Sequence, residues 1–292
     1  MSAATSRCEA APHAPQPGPG QEVRGRAHLR YARAPQGQIL DLVYARDPLR
    51  LVFNRPEPGQ PPTAVLVSSS GGLVGGDQLA VTLELGPGTQ ALVTSQAAEK
   101  VYRSTGPDSR VAVELRVEEG GRLEWLPQET IFFEGARLRR QTSLELRGQA
   151  QVLAGEILVF GRAARGEEIT RGLLREAWQV RRDGRLLWAD ALHLEGDLAR
   201  TLAHPAGLGG ARACASAVFA APEAASALDL VRECLGGPEG LRVGATALPG
   251  LVLARWLGPD AAALRRAYTD FWGELRARVW GLPRRLPRVW HL

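Results

Sequence analysis

Four stretches of this chain gather side chains able to do chemistry. The first, SSSGGLVGGDQLAVTLEL (68–85), sets Gly71, Gly72, Gly75, Gly76 and Asp77 in front of an alternating run. A phosphate cradle needs glycines that lead into a helix N-terminus, where free N–H groups and the helix dipole meet the anion. Here they lead into a strand-like run and no Gly-Lys-Ser/Thr follows, which argues against that reading. Two readings stay open: a tight turn in which Asp77 binds local N–H groups, or the wall of an internal passage. The second stretch, TSQAAEKVYRSTG (94–106), crowds Thr94, Ser95, Gln96, Glu99 and Lys100 ahead of Tyr102, Arg103 and Ser104. A desolvated lysine can activate a serine, but the Ser-x-x-Lys spacing is missing. The third, LEWLPQETIFFEGA (123–136), holds Glu124, Glu129 and Glu134 among aromatic and aliphatic anchors. Carboxylates so desolvated pair with arginine or bind a cation. A pair of them could also serve as acid and base in glycoside cleavage. The fourth, GEILVFGRAARGEE (155–168), places Glu156 inside an apolar run, where an unpaired charge is costly, and adds Arg162 and Glu167.

A stable metal site is not expected. Cys8, Cys214 and Cys234 and the five histidines are scattered, with no CxxC, HxxxH or HExxH. The 292 residues carry a net charge of +5, with Lys100 the sole lysine, and arginines are interspersed with carboxylates in no long basic run. That pattern argues against a nucleic-acid surface. With 45% hydrophobic and 23% charged residues, the chain reads as globular. Neither a basic start with an apolar h-region nor a bilayer-length apolar run is present, so a cytoplasmic protein without membrane contact is expected.

The elements that must position these residues are mostly strands. Leu79, Val81, Leu83 and Leu85 alternate with polar neighbours before Gly86-Pro87-Gly88, and Val111, Val113, Leu115 and Val117 repeat the device. Leu138, Thr142, Leu144 and Leu146 give a weaker version, and VLAGEILVFG (152–161) continues it. Asp183-Gly184 joins two alternating runs as a hairpin, and Pro249-Gly250 marks another. Many short strands with regular turns imply a sandwich, barrel or irregular β-solenoid. Two helices are predicted late: one after Pro222, with Leu228, Val231 and Leu235 on a face, and one between Pro259 and Gly281. Residues 1–25, rich in Pro, Gly and Ala, read as a disordered leader, and 26–292 as one β-rich domain.

In order, GGLVGGD (71–77), TSQAAEKVYRS (94–104), LEWLPQETIFFEGA (123–136), GEILVFGR (155–162) and the closing PRVW (287–290) closely resemble the UreD family of urease accessory proteins, called UreH in some bacteria. The motif positions are Gly71, Gly72, Gly75, Gly76, Lys100, Tyr102, Arg103, Gly161, Arg162 and Glu167. Ser68 to Ser70, Ser95 and Glu99 depart from the residues common there, and the leader has no counterpart.

The resemblance implies an irregular β-helical protein with a helical C-terminal part, and a maturation factor rather than an enzyme. It implies binding of urease apoprotein and of UreF, which recruits the nickel-carrying GTPase UreG, and delivery of nickel through an internal tunnel. Transit requires weak, exchanging oxygen sites, because imidazole and thiolate would hold Ni²⁺ tightly. Asp77, Glu124, Glu129 and Glu156 are the expected lining, with Ni²⁺ only transient and Arg162 a counter-charge or structural pair. The region of Trp256, Phe271 and Trp272 reads either as interface or as core. The rival reading is a carboxylate-pair glycosidase or lyase on a β-helix or sandwich.

Overall fold

A computed structural model describes residues 23–54, 57–162 and 165–291. The leader expected over 1–25 falls mainly outside these residues. Its last two positions, Arg24 and Gly25, already belong to the first strand.

The chain climbs in coils between two facing sheets. The first coil runs through β1 (Arg24–Ala34), a hairpin strand β2 (Gly37–Arg46), β3 (Leu49–Asn54) and β4 (Thr63–Ser68). The second uses β5 (Gln78–Leu85), β6 (Gln90–Ser95) and β7 (Glu99–Val101), and the third β8 (Ser109–Val117), β9 (Arg122–Leu126) and β10 (Thr130–Phe132). The fourth holds β11 (Arg137–Leu146) and β12 (Gln151–Phe160). Then come β13 (Arg171–Arg182), β14 (Arg185–Asp197), helix α1 (Leu198–Ala203) and β15 (Ala213–Ala220). Helix α2 (Leu228–Cys234), the hairpin β16 (Arg242–Leu248) and β17 (Leu251–Gly258), and helix α3 (Ala261–Trp280) follow.

The first sheet has the order β14-β13-β11-β8-β5-β1-β2, and the second runs β16-β17-β15-β12-β9-β6-β4-β3. Strands β1, β5, β8, β11 and β13 are mutually parallel, as are β4, β6, β9 and β12. Parallel partners lie one coil apart: Gln78 pairs with Arg110 and Gln90 with Arg122. Successive coils in parallel register make a β-solenoid, closed by antiparallel hairpins, so the solenoid is the member of the expected set that forms.

Alternation now has a geometric meaning. Leu29, Leu83, Leu115, Leu144 and Val180 are register partners on five neighbouring strands, and all point into the space between the sheets. Each is buried, and each such side chain contributes about 1.5–3 kcal/mol of apolar transfer. The expected hairpins form around Asp183-Gly184, with φ of 51° and 78°, and around Gly250.

Both predicted helices are present, the first as α2 behind a 3₁₀ turn over Ala224–Ala227. The six-residue α1 was not expected. Helix α3 is capped by Asp260, whose carboxylate accepts from Ala262 N and Ala263 N, and ends at Gly281 in the left-handed region. It lies on the outer face of the second sheet and forms a second core with Leu126, Leu153 and Ile157. Trp256, Phe271 and Trp272 are fully buried there, so their reading as interface is overturned. They fill the gap between helix and sheet, Trp256 standing edge-on to Phe271 at 4.8 Å. No helix of the described residues is long and apolar enough to cross a membrane.

Candidate functional site

The motif segments meet along one narrow side of the solenoid, where β7 and β10 stack between the sheets. Leu73 bridges Val101, with Leu73 N donating to Lys100 O (2.7 Å) and Tyr102 N to Leu73 O (2.8 Å). Gly72 sits at φ 146°, and a Cβ there would stand 2.6 Å from Lys100 O. Only glycine lets the loop approach β7 so closely. The hydroxyl of Tyr102 donates to Gly71 O (3.1 Å), and its ring meets Phe133 edge-on at 5.1 Å. On the other side of Phe133 the Arg162 guanidinium lies 4.4 Å over the ring, held by Glu167 at 2.8 Å. That ion pair raises Arg162 and lowers Glu167 from their usual ranges. Arg103 bridges Ala136, while Gly161 N donates to Phe132 O. Asp77 is almost fully buried, and its two carboxylate oxygens accept from Val74 N (2.9 Å) and Val23 N (3.1 Å). It fastens the glycine turn to the start of β1. Of the two open readings, the turn is the one this geometry supports.

A second constellation lies inside. Glu156 points from β12 into the space between the sheets and meets Arg140 Nη2 of β11 at 3.4 Å. Arg140 Nε donates to both oxygens of Glu176 on β13 (2.8 and 2.7 Å), and its Nη1 to Thr130 Oγ1 (2.8 Å). In the coils below, the same inner row carries Gly25, Leu79 and Val111. The upper coils therefore replace an apolar ladder with a buried ion pair. Beside it is a cavity of about 80 Å³, whose largely apolar wall (Leu79, Val111, Leu138 and Trp178 among others) is broken by Glu99, Thr130, Arg140 and Glu156. That volume admits a few water molecules.

Electrostatics in the cavity are strongly biased. Burial, then the neighbouring Glu176 carboxylate, push Glu156 well above the carboxylate range, against the pull of Arg140. Burial raises Glu99 to about 7, Arg140 opposing and Asp77 adding to the shift. Burial alone would lower Arg140, but Glu176, Glu156 and Glu99 together hold it above its usual value. At neutral pH the site thus contains a cation, a carboxyl biased toward its protonated form and a half-titrated one.

A stability test follows from Glu99. Between its unfolded pKa of about 4.5 and its folded value of about 7, the folded chain holds a proton that the unfolded chain lacks. Stability therefore falls as pH rises through that window. Glu99→Gln removes the ionisation, so the variant should match the parent below pH 4.5 and exceed it by about 1–3 kcal/mol above pH 7. Urea titrations at pH 4.5 and pH 8 read the difference.

Of the four residues expected to line a passage, only Glu156 reaches the cavity. Asp77 binds backbone. Glu124 points to the opposite face of the second sheet, where it accepts from Arg276 Nη2 (2.7 Å) and Nε (2.8 Å) and from Trp272 Nε1 (2.8 Å). Glu129 accepts from Arg265 Nε (3.1 Å), and Arg265 also stacks on Trp290. Both carboxylates pin the C-terminal helix and tail. Sequence reasoning missed Arg140 and Glu176. Their signal was phase: Arg140 falls in step with Leu138 and Leu144, and Glu176 in step with Leu174 and Val180. A charge on the apolar phase of a strand marks an interior ion pair.

The arrangement does not suit a glycosidase. Glu124 and Glu129 are each committed to an arginine, and the cavity beside Glu156 is far below the roughly 300–1,000 Å³ of ordinary ligand pockets. Among the described residues no group of three or more His, Cys, Asp or Glu is placed to hold a metal ion.

A family model described as UreD urease accessory protein matches residues 23–291. The chain is 49% identical over 278 residues to the urease accessory protein UreD of Magnetococcus marinus, covering 94% of this chain and 96% of that one. It is 47% identical to UreD of Methylobacterium sp. strain 4-46, over 83% of this chain and 85% of the relative. It is 42% identical to UreD 1 of Methylobacterium radiotolerans, over 96% and 98%. With motif segments that converge in space, a solenoid frame and relatives matched over nearly their whole length, the chain belongs to the UreD family of urease accessory proteins, maturation factors rather than enzymes.

Proposed function

We propose that this protein is a scaffold for nickel delivery: it binds urease apoprotein and UreF, through UreF reaches UreG, and passes Ni²⁺ as cargo through its interior. The observation that carries the reading is the cavity in which Glu156, Glu99 and Thr130 bring oxygens into a wall otherwise made largely of apolar side chains such as Leu79, Val111 and Leu138. Its chemistry favours transit. Carboxyl and hydroxyl oxygens exchange Ni²⁺ quickly, whereas imidazole and thiolate would retain it. The resident Arg140 charge opposes a long-lived dication beside it. Cargo entering the cavity competes with the proton on Glu99, so passage is favoured as pH rises through 7.

Large apolar side chains exposed on β2 and β3, among them Leu40, Val43, Tyr44 and Val52, suit a chain that works in a complex. Co-expression with urease and its other maturation factors tests the whole reading. Glu156→Ala should leave the complex intact and lower both urease activity and bound nickel by about tenfold. A folded Glu156→Ala variant that assembles and loads nickel fully would sink the conduit, while the scaffold would stand or fall on whether the complex forms.

A further inference from the structure

The outer face of the first sheet carries a basic groove that the interleaved sequence conceals. Arg24, Gln78, Arg110, Arg139 and Arg175 are register partners on β1, β5, β8, β11 and β13. The next row on that face begins with Arg26, opposite Arg46 of β2, and continues through Ala80, Ala112, Gln141 and Ala177. The arginines thus form a wall beside a floor of small side chains, enclosing about 600 Å³. Neighbouring strands place like charges about 4.8 Å apart at Cα level, an unfavourable cross-strand arrangement.

Local carboxylates leave much of this charge uncompensated. Asp108 takes Arg139 (2.6 Å). No ion pair to Arg26, Arg46, Arg110 or Arg175 occurs among the described residues. Two rows further along the same face the pattern differs: Arg30, Glu84 and Arg116 alternate and pair, with Asp41 and Glu114 completing the set. A face that neutralises itself in one row and not in another is built to be completed from outside.

We propose that this groove docks an extended acidic segment of a protein partner, with aspartate or glutamate at alternate positions. The arginine row crosses four strand spacings, about 19 Å, while carboxylates on every second residue of an extended chain recur about every 6.8 Å. Four such carboxylates, about 20 Å from first to last, span the row. The site is independent of cation passage through the interior. Nucleic acid fits less well: the basic strip is about two residues wide and is bordered by Asp108 and Glu195 on one side and Glu114 on the other. None of its lining residues is aromatic, so no base would stack there. The chain's own first 22 residues, with Glu9 and Glu22 as their only acids, cannot match the charge.

The test uses the full chain in the assembly in which it purifies, with a fluorescent peptide of alternating glutamate and serine. Binding should weaken steeply with salt and fall about tenfold in Arg110→Gln/Arg175→Gln, and again in Arg26→Gln/Arg46→Gln. Arg30→Gln/Arg181→Gln, on the self-neutralised rows, should leave it unchanged. Thermal unfolding of each variant confirms the fold, and a groove pair that unfolds is replaced by the other. Equal affinity in groove and control variants would overturn the proposal. So would tighter binding of single-stranded or duplex DNA, or self-association in sedimentation that the groove variants abolish.

Discussion

Arg276→Met lowers the stability of the folded chain by about 3–5 kcal/mol, read as a shift in the urea midpoint at constant slope. Arg276 is fully buried, and its guanidinium makes a two-point contact with Glu124, which is 2% exposed at its side chain. Its remaining hydrogens go to Pro283 O (2.6 Å), Arg285 O (3.2 Å) and Gln60 Oε1 (2.8 Å). Removing it strands a carboxylate in a core with only the Trp272 indole for company. The loss comes mainly from that uncompensated charge. Glu124→Gln/Arg276→Met should therefore recover more than half of it. If single and double variants are equally destabilised, the pair acts by packing and not by charge.

Arg140→Met is the second large effect, and it has a pH signature. The arginine is flanked by Glu176 and Glu156 and lies within electrostatic reach of Glu99. Without it, carboxylates in a half-closed interior have no counter-ion, and the expected loss at pH 7.5 is about 3–5 kcal/mol. Protonation relieves the repulsion. At pH 5 the deficit should shrink to about 1–2 kcal/mol, because the carboxylates take up protons that the unfolded chain at that pH holds less firmly. A deficit that stays constant between pH 5 and 7.5 would show that Thr130 and the packing of the arginine stem matter more than its charge.

Much of the frame was legible because alternation is local. Leu79, Val81, Leu83 and Leu85 announce β5, and Asp183-Gly184 announces its hairpin, without reference to any distant residue. Parallel stacking was not legible, since Gln78 finds Arg110 a whole coil away and no short-range pattern marks the partner. The three-residue β7 and β10 are too short to show any period, yet they form the side wall on which the motif segments meet. At the candidate site, Glu156 could be flagged because a charge in an apolar run needs an explanation. Which charge answers it could not be told, as Arg140 and Glu176 come from the opposite sheet. Glu124 and Glu129 were flagged by the same logic and proved to be fasteners for a helix 136 to 152 residues further on.

That fastening changes how the molecule comes apart. A stack of coils in which each touches only its neighbours tends to fray from its ends, coil by coil. Here α3 and the segment after it run lengthwise as a brace: Trp290 Nε1 bonds Thr94 of the second coil, Arg276 holds Glu124 of the third, and Gln60 just before β4 donates to Arg285 O. The coils are thereby tied to one another through a part of the chain synthesised after all of them. Early coils emerging during translation lack their brace, so they stay open to other proteins until the last helix docks, and after docking the whole stack melts as one body.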